Sequence, residues 1–151
     1  MGGRRGDGLG DPGPPPAHTY GYRIQSGDAA LAYIPDNELF GGSYPVGGED
    51  WYRGLLSFLD GVDVLFHDAM YTDEEYENGV EGWGHSTFTQ AIKLAGDAGV
   101  SRLFVFHHAP ERIDTELLEI IEREREALAS RDSKLELGIA SEGEELLVQE
   151  R

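Results

Sequence analysis

Two short apolar runs, Val62–Phe66 and Arg102–Phe106, restrict this chain more than any other feature in it. Both have strand length, and neither shows the sustained alternation of a half-solvated strand. That pattern belongs to strands covered on both faces. Around them the spacing turns helical: Trp51, Leu55, Phe58 and Leu59 before the first run, Phe88, Ala91, Ile92 and Ala95 between the two. Leu117, Leu118, Ile121 and Leu128 follow the second run at the same helical spacing and are predicted to face inward. Strand–helix alternation of this kind predicts an α/β layer.

The ends differ from the middle. Tyr20, Tyr22 and Ile24 alternate with polar or small residues, Ser26-Gly27-Asp28 is turn chemistry, and Ala30–Ile34 reads as the returning strand. Leu135–Ile139 and Leu146–Val148 read as two closing strands around a Ser-Glu-Gly turn, so the sheet is predicted to be mixed. Asp60-Gly61 and Gly99 are helix stops, and Thr87 with Gln90 forms a capping box. Thr72–Glu77 predicts a short helix, Asp114 or Thr115 a cap for the long one, and 35–48 and 78–85 are loops.

Residues 1–17 are almost all Gly, Pro, Arg and Asp, predicting a disordered lead-in before one domain over 18–151. The formal net charge of −17 opposes polyanions, which makes broad nucleic-acid binding unexpected. With no cysteine, any metal must be held by His and carboxylates. No apolar run approaches the roughly 20 residues of a membrane span and no secretory leader is present, so a cytoplasmic location is expected.

The polar chemistry collects where apolar strands give way to loops, at Pro35-Asp36-Asn37, His67-Asp68-Ala69, Gly82–Thr87 and Phe106–Pro110. Asp36 can bridge cations or simply cap its own turn. His107 and His108 are adjacent on a strand end, so at most one of them faces a site. His85, ahead of a helix N-terminus, can hold an anion or pass a proton, or bond a loop hydroxyl. Asp68 can orient a histidine or cap the following turn.

In this order the segments resemble the C-terminal half of the metallo-β-lactamase fold hydrolases, in the branch of ribonuclease Z and the cyclic-phosphate phosphodiesterases. The likeness is carried by Tyr20–Ile24, Ala32–Glu38, Gly84-His85-Ser86-Thr87 and Arg102–Pro110, and covers roughly residues 19–125. It implies an αββα sandwich represented by its C-terminal half, a mixed sheet with flanking helices. It also implies a metal-dependent hydrolase of phosphodiester or similar ester bonds. By the same resemblance Asp36 and His107 are metal ligands, His85 is catalytic at the scissile phosphate, and Asp68 supports it. Zinc, as one of two divalent metals, is the implied cofactor, and a small phosphoester the expected substrate.

The family's His-x-His-x-Asp-His signature does not occur in these residues, and His18 stands three residues out of register with a further ligand. Weak or absent metal binding and little or no activity are therefore expected of the chain by itself. The alternative is a non-catalytic half-domain that dimerises or pairs with a complementing N-terminal half. A metal-free hydrolase using His85 and Asp68 as an acid–base pair is a distant third, since no Ser or Cys sits in a nucleophile elbow.

Overall fold

Tyr22–Ser26 (β1) turns through Gly27, at φ +58°, and returns as Ala29–Ile34 (β2), the two pairing antiparallel with Tyr22 opposite Tyr33. The computed structural model describes residues 19–148; the lead-in over 1–17 and His18 lie outside them. After β2 the chain makes a small ribbon, Phe40–Gly41 (β3) with Tyr44–Pro45 (β4), inside a stretch predicted as loop. Gly48–Phe58 (α1) leads to Val64–Asp68 (β5), and Phe88–Ala98 (α3) leads to Arg102–Phe106 (β6). Between β5 and α3 lie a single turn, Asp73–Glu75 (α2), and a π-helical turn over Tyr76–Val80. Asp114–Ser130 (α4) and Glu136–Ile139 (β7) complete the order.

The main sheet runs β1-β2-β5-β6-β7, antiparallel at β1 and parallel from β2 to β7. Helical crossovers join the parallel strands, so the C-terminal ends of β2, β5 and β6 share one rim. Ligand chemistry gathers at such a rim because every strand there hands over to a loop on the same side.

Alternation sorts the faces. Ala30, Ala32, Ile34, Leu65, Leu103, Val105 and Leu137 pack in one buried cluster with Phe88, Ala91, Leu94 and Ala95 of α3 and Ile120, Ile121 and Leu128 of α4. Tyr33, Phe66, Phe104 and Phe106 occupy the alternate positions and form an aromatic face, with Tyr33 stacked on Phe106 and Phe66 on Phe104. Gly138 lies beside the last pair, and a Cβ there would stand 2.6 Å from the Phe104 ring.

The capping boxes of α2 and α3 form at Thr72 and Thr87, and Gly99 ends α3 in the left-handed region at φ 69°. Four expectations need correction. Leu146–Val148 makes no strand, so the C-terminal end of the sheet is parallel β7 and not a hairpin. Ile113 is the N-cap of α4, with no side-chain cap, and Asp114 is its first helical residue. Leu118 is 54% exposed; the inward positions it was expected to share belong to Ile120 and Ile121. The loop predicted over 78–85 begins inside the π-helical turn, which runs to Val80.

Candidate metal and phosphodiester site

Asp68 is the last residue of β5 and is completely buried, on the same side of its strand as Phe66. Its Oδ2 receives His85 Nδ1 at 2.6 Å and His107 Nδ1 at 3.1 Å, while Oδ1 takes the Ser86 backbone N–H at 3.4 Å. A carboxylate accepts and does not donate, so both imidazoles carry their proton on Nδ1 and keep Nε2 as the free nitrogen. The same His107 nitrogen lies 3.4 Å from Asp36 Oδ1. The two rings stand 4.7 Å apart, and Tyr71 meets His85 edge-on at 6.2 Å.

Three strand ends and one helix entry build this cluster. Asp36 lies two residues beyond β2, His107 one residue beyond β6, and His85 two residues before the Thr87 cap of α3. Asp36 and His107 both adopt left-handed backbone, at φ 43° and 61°. Asp and His tolerate that region better than most residues, yet it still costs energy, and such strain collects at functional positions.

One donor atom each from Asp36, Asp68, His85 and His107 falls within 4.8 Å of the others. Two carboxylates and two imidazoles suit a divalent cation of the zinc class. Asp68 is already engaged by three hydrogen-bond donors and is buried, whereas Asp36 and His107 are exposed at the rim and His107 keeps Nε2 outside its bond to Asp68. The chemistry of the donors therefore fits a metal, with Asp36 and His107 able to hold it and Asp68 fixing the rings.

The structure brings Asp36, Asp68, His85 and His107 together and leaves His67 and His108 out of the cluster. His67 points to the helix side, where Nδ1–H donates to the Asp68 carbonyl at 2.6 Å and Nε2 accepts from Asn37 Nδ2 at 3.1 Å. Burial holds its pKa below the ordinary histidine range, against the opposing pull of the Asp68 carbonyl and carboxylate. The Asp68 side chain thus serves His85 and His107 and not the histidine beside it. His108 turns away from the site and stacks on Phe88, with rings 6.0 Å apart; burial lowers its pKa too. Sequence reasoning missed Asn37, Glu38 and Ser86, whose polar contacts to distant segments hold the loops of the site.

Residues 4–108, more than half of the chain, match the family model described as the beta-lactamase superfamily domain. The chain belongs to that superfamily. Ribonuclease Z of Thermoplasma volcanium is 45% identical over 60 residues, which is 40% of this chain and 19% of the relative. The metallo-beta-lactamase fold protein YhfI of Bacillus subtilis superposes with a TM-score of 0.60 at 20% identity, covering 85% of this chain and 44% of that one. Human tRNase Z, short form, gives 0.55 at 18% identity, covering 85% and 38%. These likenesses establish the metallo-β-lactamase type of α/β fold, with a mixed sheet and flanking helices. The chain spans about a fifth of the length of the curated relatives it matches.

The substrate expectation is overturned. A small phosphoester was expected and nucleic acid was not, but the curated relatives that match this chain are named ribonuclease Z and one of the similar structures is named tRNase Z. The net charge of −17 is a property of the whole chain and does not by itself decide what one site meets. A site that holds a divalent cation reverses the local sign. Among the described residues, no helix is long and apolar enough to cross a membrane.

Proposed function

We propose that this chain provides the acid–base residues and part of the metal shell of a metal-dependent hydrolase that cleaves RNA phosphodiester bonds. The observation that carries the reading is the bonding of His85 and His107 to one buried carboxylate, Asp68, with Asp36 alongside. Asp36 and His107 would hold a divalent cation, zinc by donor type, which supplies Lewis-acid stabilisation of the phosphate and an acidified water. Asp68 fixes both rings through their Nδ1–H groups. His85, with Nδ1–H held by Asp68, presents Nε2 to the leaving oxygen; a ring that has first taken up a proton at Nε2 passes it to that oxygen and returns to the neutral Nδ1–H form. Ring orientation by a buried carboxylate keeps that nitrogen in place without reorganisation during the reaction.

A catalytic zinc site takes three protein ligands, and Asp36 with His107 falls short of that. Zinc affinity and turnover of the 151-residue chain are accordingly expected to be low. The test is a zinc titration of labelled chain followed by imidazole NMR, with cleavage of a single-stranded oligoribonucleotide measured at saturating metal. Metal-dependent shifts at His107, and any cleavage lost in His85→Ala, support the reading. A His107 ring indifferent to zinc at millimolar concentration would overturn it.

A second reading, a binding half-domain, is favoured by the aromatic sheet face. Tyr22, Ile24 and Tyr33 are 57%, 64% and 39% exposed there, and contiguous apolar surface of that kind marks an interaction site. Light scattering tests it: a stable monomer at high concentration argues against self-association through this face.

A further inference from the structure

Residues 37–39, which follow Asp36, are bonded to the stretch that carries His85. Glu38 is the centre of this clasp. Its Oε1 accepts from the Tyr76 hydroxyl and from the Gly82 N–H at 2.7 Å, and its Oε2 accepts from the Gly84 N–H at 3.0 Å. On the other side of His85, Ser86 Oγ donates to the Asn37 carbonyl at 2.6 Å and accepts from the Leu39 N–H at 3.1 Å. His85 is therefore suspended between two anchored neighbours, Gly84 and Ser86. Gly82 and Gly84 stand at φ 85° and 89°, backbone that glycine enters at no steric cost but also leaves easily. Some fixed acceptor has to select one conformation of this turn. A carboxylate receiving backbone N–H groups is the strong form of such a bond.

We infer that Glu38 is a positioning residue for His85: its carboxylate locks the Gly82–Gly84 turn so that the imidazole meets Asp68, and it couples that ring to the Asp36 strand end. The catalytic meaning of this clasp rests on the role given to His85 above; the positioning itself does not. Glu38 makes no contact with Asp36, Asp68, His85 or His107 among its hydrogen bonds. Its effect travels through the backbone.

The experiment uses the full chain, 15N-labelled, without metal or substrate, as wild type, Glu38→Gln and Tyr76→Phe. In Glu38→Gln the Gly82 and Gly84 amides should exchange about tenfold faster or more, as loss of a charge-assisted bond implies. The His85 ring nitrogens should move toward their solvent-exposed values while β5 and β6 amides keep their shifts. Tyr76→Phe, which leaves both N–H bonds, should move the same signals less. A His85 ring unmoved in Glu38→Gln overturns the inference, whether or not the glycine amides loosen. If Glu38→Gln fails to fold, Glu38→Asp replaces it: graded His85 shifts in Glu38→Asp and Tyr76→Phe support the inference, and none in either overturns it. Should the wild type cleave RNA, Glu38→Gln is expected to lower kcat about tenfold with KM within about twofold. A wild type that neither binds zinc nor cleaves defeats the hydrolase reading, while the NMR comparison still decides the role of Glu38.

Discussion

His85 and Asp68 lie 17 positions apart in the chain, yet Nδ1 of the first bonds Oδ2 of the second at 2.6 Å inside the protein. The strand end supplies the carboxylate and the entry to α3 supplies the ring. Because the carboxylate is wholly buried, its hydrogen bonds must come from protein, and both rim histidines are drawn to it.

Asp68→Asn tests that arrangement directly. The amide keeps the volume but offers one acceptor oxygen and adds two donors, so either the Ser86 N–H or both Nδ1–H groups, which share Oδ2, come to face a donor. Zinc affinity, and any cleavage, should fall about 10- to 100-fold, the usual effect of losing the carboxylate behind a ligating histidine. Isothermal titration against wild type, with circular dichroism confirming the fold, decides it; unchanged affinity would count against the orienting role.

Asp36→Ala and His107→Ala should each reduce zinc binding below detection in the same titration, since these two rim residues are the ones assigned to hold the cation. The double variant should then look no worse than either single one. If binding persists in both single variants, the cation is held elsewhere.

Stability should depend on pH through His67. Its folded pKa is lowered by burial, so below the unfolded value of about 6.5 the unfolded chain binds a proton that the native chain resists. Stability from this group is complete above that value and declines as pH falls, by up to about 1.4 kcal/mol per pH unit. His108 is lowered by burial in the same direction and adds to the slope. Urea denaturation at about pH 7.5 and about pH 5.0, on either side of the unfolded value, should show the loss. His67→Gln should reduce the pH dependence while lowering overall stability. A slope identical in His67→Gln and wild type would assign the effect to other groups.

Gly138→Ala should destabilise by about 1–3 kcal/mol, because the added methyl would stand 2.6 and 2.8 Å from two Phe104 ring carbons. The Phe66–Phe104 stack, at 5.4 Å, leaves that ring little room to yield. Thermal melting measures the effect, and a larger pocket made by Phe104→Leu in the same background should recover part of the loss.

Much of the layout was legible in the sequence. The strand cores at Val64–Phe66 and Arg102–Phe106, the Thr87 cap with its Gln90 partner and the Gly99 stop depend on near neighbours, and local patterns report near neighbours well. The failures came where distant packing decides. Leu146–Val148 has strand composition but forms no ladder with the edge strand β7, and Leu118 keeps helical spacing on a face that α4 turns to solvent.

By itself the sequence determined the alternation of buried strands and amphipathic helices, and with it the placing of Asp36, Asp68 and His107 at strand ends and of His85 at a helix entry. Only the tertiary structure decided which of His107 and His108 faces that rim, that Asp68 serves His85 and His107 and not adjacent His67, and that Glu38 reaches across to Gly82 and Gly84. The reason is physical: strand periodicity fixes which side chains share a face, but a hydrogen bond between segments depends on how loops close in space, and no local pattern encodes that distance.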